Sequence, residues 1–196
     1  MIDLEKLKHI YQLPEDLTLS DVNALLQIAK SKMLVANEYF IKQGATKKNI
    51  YLIIKGLVRA FTITNKGDEV TVQVWHENRL FASIDNIFFN TPARFYYQAI
   101  EPTQVLYLDF ELLYSMANKN PKLSGSRTEI LHYLLKEEIK QTESFLLLSP
   151  EERYLEFIAL YPNINNRIPD KYVANLLGIT PVSLSRIRKR IASKKK

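Results

Sequence analysis

The stretch "IPDKYVANLLGITPVSLSRIRKRI", residues 168–191, decides how the rest of the chain is read. A first helix, about Asp170 to Leu177, turns Val173, Leu176 and Leu177 to one side, with the small Ala174 where a second helix can approach closely. Gly178 supplies the positive φ of a tight turn, Ile179 plugs the corner, and Thr180-Pro181 caps and starts the second helix. Leu184, Ile187 and Ile191 form its inner face. The other positions are small or basic, as a major groove requires: short side chains near base edges, a donor fork for guanine, and cations for phosphates. The expected DNA-contacting set is Thr180, Val182, Ser183, Ser185, Arg186, Lys189 and Arg190.

The placement of charge supports this reading. Between Arg167 and Lys196 stand nine Lys/Arg against the single acid Asp170, a net +8, which leaves −2 for the other 166 residues. A near-neutral body with one basic end points to an anionic partner, nucleic acid before membrane.

Upstream, "SDVNALLQIAKSKML" (residues 20–34) has apolar residues at three- and four-residue spacing and predicts a helix with Ser20 as its N-cap. The period then changes. "EYFIKQG", "IYLIIKGLVRAFTIT", "EVTVQVW" and "FYYQAIEPTQVLYLDF" are rich in β-branched and aromatic residues, and Val70, Val72 and Val74 alternate with polar ones. Turn signals at Gln43-Gly44, Lys55-Gly56 and "TNKGDE" separate these runs, which predicts a small β-barrel or jelly roll over residues 35–110.

Beyond Pro121 the helical period returns. Leu131, Leu135, Ile139, Thr142 and Leu146 follow at gaps of four, four, three and four, a seam close to heptad spacing, while Ile130, Tyr133 and Leu134 are free to serve the barrel. The seam is expected to be a dimer interface, with packing on the chain's own barrel as the other reading. Ser149, Pro150 and Glu152 form a capping box that opens a further helix, and residues 162–169 form a loop. The expected domains are a β-roll with flanking helices at 1–120, a dimerisation helix at 121–148 and a helix-turn-helix domain at 149–196.

With these elements in place, residues 15–190 resemble a Crp/Fnr-type transcription regulator, most specifically in "YLIIKGLVRAF" and in "ANLLGITPVSLSRIRK". The resemblance implies an α+β chain: an N-terminal β-roll of the cyclic-nucleotide-binding type, a long dimerisation helix and a C-terminal helix-turn-helix. It implies a homodimer on double-stranded DNA, with RNA polymerase as a candidate further partner, and it places base-reading roles on Ser183, Ser185 and Arg186. Many relatives carry an arginine and a glutamate where this chain has Pro181 and Val182, so a different half-site is expected. The β-hairpin wing is expected to be truncated or absent, its phosphate contacts either replaced by Lys194, Lys195 and Lys196 or dispensed with.

The resemblance also frames the effector question. The cassette that holds a cyclic nucleotide carries a Gly-Glu pair and an Arg-Ser or Arg-Thr pair, since a buried phosphate needs a guanidinium and a hydroxyl and a ribose needs a carboxylate acceptor. This chain has Ala82-Ser83 and Arg94-Phe95 in those places. Ser83, Arg94 and Phe95 therefore mark a candidate effector pocket from which cyclic AMP is expected to be excluded, and no cofactor is implied.

Other classes find little support. No cysteine is present, so disulfides, thiolate metal sites and cysteine-ligated iron–sulfur clusters have no ligand among these 196 residues. His9, His76 and His132 make no metal-binding pattern, and neither a GxSxG motif nor a phosphate-binding glycine loop occurs, so no enzyme is expected. The absence of a long apolar run or a signal-peptide core predicts a cytoplasmic protein with no membrane partner. The competing expectation is a scaffold of the same type that acts on a partner protein through its basic tail.

Overall fold

The computed structural model describes residues 3–162 and 164–194, the last of these by its backbone only. Two short helices, α1 (Leu4–Tyr11) and α2 (Leu19–Ile28), precede β1 (Lys30–Leu34), β2 (Tyr39–Ile41), β3 (Asn49–Lys55), β4 (Val58–Ile63), β5 (Glu69–Trp75) and β6 (Leu80–Ala82). A single-turn helix α3 (Ile84–Ile87) leads to β7 (Tyr96–Ala99) and β8 (Thr103–Asp109). Five further helices follow: α4 (Phe110–Ala117), α5 (Pro121–Leu147), α6 (Pro150–Leu160), α7 (Asp170–Leu176) and α8 (Pro181–Lys194). The chain divides into two compact units, Met1–Ala60 with Val74–Lys136, and Phe61–Gln73 with Glu137–Lys196. No helix among the described residues is long and apolar enough to cross a membrane.

The strands form two four-stranded sheets, ordered β1-β8-β3-β6 and β2-β7-β4-β5. In the first unit Ile53, Leu57, Val58, Ala60, Ala99 and Val105 are fully buried and form the apolar layer of the roll. Beside it the aromatic residues stack. Tyr51 lies opposite both Tyr107 and Phe81 in the sheet register, with ring centroids 5.7 and 5.1 Å away, and Trp75 stacks on Phe81 at 5.1 Å and on Tyr97 at 5.9 Å. Such near-parallel pairs contribute attraction beyond the area they bury. Burial pushes the Tyr97 hydroxyl up to about 12, so it stays protonated and donates to the carbonyl of Ala82 at 3.2 Å. A second small core of Leu4, Leu17, Ala117 and Leu123 joins the N-terminal helices to α4 and α5.

Gly56 is fixed by geometry. Its φ is +103°, and a Cβ there would stand 2.7 Å from the Cα of Thr103, so only glycine lets β3 turn into β4 against that strand. The expected hairpin at "TNKGDE" forms: the N–H of Thr64 donates to the carbonyl of Asp68 at 2.9 Å and that of Gly67 to the carbonyl of Thr64 at 2.9 Å.

Three expectations change. The helix expected over residues 20–34 ends at Ile28, because the backbone of Ala29 is extended and Lys30–Leu34 pairs with β8. Its cap is Thr18, not Ser20: the Thr18 hydroxyl accepts from the N–H of Asp21, and the Asp21 carboxylate accepts from the N–H of Thr18 at 2.8 Å. Met33 matches a helical spacing from Val22, Leu25, Leu26 and Ala29, yet it is exposed on β1. In β5 the buried side chain is the polar Thr71, with Val70 and Val72 half-buried, so this part of the strand is covered on both faces.

α5 spans 27 residues, close to the expected 121–148. Ile130, Tyr133 and Leu134 are half-buried, and Tyr133 sits edge-on to Tyr11 with ring centroids 4.9 Å apart. Leu131, Leu135, Ile139, Thr142 and Leu146 are all exposed.

Candidate nucleic-acid interface

In the second unit the site is built from α6 upward. Ser149 caps α6 as expected: its hydroxyl accepts from the N–H of Glu152, and the Glu152 carboxylate accepts from the N–H of Ser149 at 2.8 Å. Those bonds hold the Glu152 carboxyl below its ordinary value. The helix buries Tyr154 and Phe157 together with Ile164, Ile168, Val173, Ala174, Leu177, Leu184 and Ile187 as the core of this unit. Leu176, Ile179 and Ile191, expected on the inner side, are half-buried.

Between α7 and α8, Gly178 takes φ +64°, and a Cβ on it would stand 2.9 Å from Cε1 of Phe145. A non-glycine residue in this left-handed conformation costs about 1 to 2 kcal/mol. The Phe145 ring can move aside, so Gly178→Ala should lower stability by about that amount in urea unfolding of the full chain. An unchanged midpoint would mean that the turn has another conformation in solution.

Thr180 starts α8. Its carbonyl accepts from the N–H of Leu184 at 3.0 Å, and its hydroxyl accepts from the N–H of Ser183 at 3.1 Å and lies 3.0 Å from the Ser183 hydroxyl. With Leu184 and Ile187 buried, the opposite side presents Val182, Ser185, Arg186 and Lys189, all exposed. These positions follow i, i+3, i+4, i+7, which places them on one face. Ser183 is half-buried and tied to the cap.

The cations of α8 are not equivalent. Arg188 turns to the protein, where its guanidinium donates to Asp170 at 2.6 Å, to the Tyr154 hydroxyl at 3.1 Å and to Asn165 at 3.2 Å. Arg190, expected to contact DNA, is ion-paired with Glu151. Arg186 and Lys189 have no ion-pair partner among the described residues. Lys195 and Lys196, expected to take phosphates, lie outside the described residues, as does the side chain of Lys194.

Arg153 was not anticipated. Its guanidinium donates to the carbonyls of Leu148 at 2.7 Å and Leu177 at 3.1 Å, past the ends of α5 and α7, and lies over the Phe145 ring. A cation there satisfies carbonyls that a helix end leaves without partners. Nothing in the sequence distinguishes Arg153 from a solvated arginine.

In the first unit, the residues marked for an effector gather around one that was not marked. Asp85 is buried, and its carboxylate accepts from Nε of Arg94 at 2.6 Å and from the backbone N–H of Arg94 at 3.0 Å. The Arg94 side chain is 67% exposed against 6% for Asp85, so the arginine reaches in from the surface to an internal carboxylate. Its guanidinium also lies over the Phe95 ring, and Ser83 is buried as the N-cap of α3. The guanidinium that an anionic effector would need thus already holds a carboxylate. No cluster of three or more potential metal ligands occurs among the described residues.

The chain is built from a β-roll of two sheets, a long helix and a helix-turn-helix, and residues 31–120 match the family described as cyclic nucleotide-binding domain. Over most of its length the chain is also similar to proteins named as transcription regulators. It is 28% identical over 191 residues to the fumarate and nitrate reduction regulatory protein of Vibrio cholerae, covering 89% of this chain and 74% of that protein. With electron transport regulator A of Shewanella oneidensis it is 26% identical over 174 residues, covering 82% and 68% respectively. A CooA variant from Carboxydothermus hydrogenoformans shares the fold with a TM-score of 0.69 at 17% identity, over 94% of this chain and 88% of that one.

Proposed function

We propose that the chain is a sequence-specific DNA-binding transcription regulator and not an enzyme, working as a homodimer in the cytoplasm. The observation that carries this is the α8 face of Val182, Ser185, Arg186 and Lys189, set opposite a buried face on a helix that follows a tight glycine turn. Val182, Ser185 and Arg186 read bases, Lys189 takes phosphate, and Thr180 and Ser183 shape the helix start. The Arg190 side chain, paired with Glu151, serves the fold first.

The exposed seam of Leu131, Leu135, Ile139, Thr142 and Leu146 supports the dimer. Two α8 helices carried by a two-fold dimer enter successive major grooves about 34 Å apart, so the operator is a pseudo-palindrome. α5 begins in one unit and ends in the other, so that an effector, were one to bind the roll, would act through this helix on the separation of the two reading helices. A shift assay against excess competitor DNA over a range of salt tests the function. The expected result is retention of a preferred site with affinity falling as salt rises; equal competition by every DNA would contradict it.

Cyclic AMP is not the effector. Its phosphate would have to displace the Asp85 carboxylate from Arg94, and Phe95 offers no hydroxyl in return. Calorimetry of the purified chain with cyclic AMP should show no binding. Micromolar affinity would overturn this account of the cassette.

A further inference from the structure

We infer that Val182 is a specificity-determining residue that reads the C5 methyl of a thymine beside the base pair read by Arg186. The inference rests on α8 being the helix that faces the groove. Val182 is 60% exposed, an apolar side chain in the first turn of a helix whose outward face otherwise carries polar and basic groups. It shares its face with Ser185 and Arg186, while the Ser183 hydroxyl is turned to the Thr180 cap and Arg188 and Arg190 are held by Asp170 and Glu151. With Lys189 assigned to phosphate, the side chains of this face left to address base edges are one apolar, one hydroxyl and one guanidinium.

The chemistry of the groove then fixes the preference. Thymine alone presents a methyl group at the major-groove edge, whereas the other bases offer polar atoms. Valine against such an atom removes water without giving a hydrogen bond, which is unfavourable, whereas valine against a methyl buries apolar surface on both sides. Val182 and Arg186 stand one turn apart, about 6 Å along the axis, so the two contacts fall on neighbouring base pairs.

The test uses the full chain and the operator it selects from a randomised pool, with each thymine replaced in turn by deoxyuridine, which removes only the methyl. At one thymine per half-site the replacement should weaken the wild type about three- to five-fold, the value of one buried methyl group. Val182→Ala, which acts in both half-sites of the dimer, should weaken the thymine operator by about the square of that factor, roughly 10- to 25-fold, and bind the thymine and uracil forms alike. Val182→Glu should shift selection at that position toward cytosine, whose amino group donates to a carboxylate. If the wild type discriminates operator from random DNA but tolerates deoxyuridine at every position, the inference is wrong and the DNA-reading function stands. If no operator is preferred at all, the function itself fails, and the inference with it.

Discussion

Replacing Leu135 with glutamate is expected to convert the dimer to monomers, and with it to abolish tight operator binding. Leu135 is 61% exposed in the single chain and lies mid-seam between Leu131 and Ile139. Because the side chain meets solvent in the protomer, the substitution leaves the fold of the chain intact. In a two-fold dimer it introduces two carboxylates into an apolar seam, and an unpaired buried charge costs on the order of 3 to 5 kcal/mol, a factor of 10² or more in dissociation. Light scattering at micromolar concentration should give the monomer mass, with the helix content by circular dichroism kept and the urea midpoint lowered and no longer dependent on protein concentration. A dimer of unchanged stability would place the interface elsewhere on the molecule.

The second large effect concerns Arg186. Arg186→Ala should cost about 1 to 3 kcal/mol on the preferred operator, roughly 5- to 150-fold, while binding to random DNA changes little. The contrast with Arg188 makes the measurement decisive. Arg188→Ala removes the bonds to Asp170, Tyr154 and Asn165 that fasten α8 to the rest of its unit, and should lower stability by roughly 1 to 2 kcal/mol. Its effect on DNA should therefore be similar for all sequences. If Arg186→Ala weakened preferred and random DNA alike, its role would be phosphate binding and not base reading.

The helix-turn-helix was legible because its signals are local. Gly178, the Thr180-Pro181 start and the apolar period of Leu184 and Ile187 lie within a few residues of one another, and each acts on the backbone beside it. The same holds for the Ser149 capping box and the "TNKGDE" hairpin. The helical spacing of α2 runs on through Ala29 and Met33 in the sequence; only pairing with β8, a strand some 70 residues later, turns Lys30–Leu34 into a strand. The three-residue β6 is too short for any period to show.

The candidate sites divide along the same line. Which residues of α8 point outward follows from their spacing, and Val182, Ser185, Arg186 and Lys189 lie where that spacing puts them. Which cations remain available does not, because Arg188 and Arg190 meet Asp170 and Glu151 from other elements. The effector cassette shows this most clearly. The departures at Ser83 and Phe95 can be read from the sequence, but the Asp85 carboxylate that binds Arg94 from within depends on how the loop after α3 folds back.

The central claim, that a dimer of this chain reads DNA through α8, is tested most directly by selecting bound sites from a randomised DNA pool with the purified full chain. The account predicts enrichment of an inverted repeat whose half-sites are centred about 10 base pairs apart and contain a guanine, with that guanine losing its enrichment when Arg186→Ala replaces the wild type. A pool that remains random after repeated selection would contradict it.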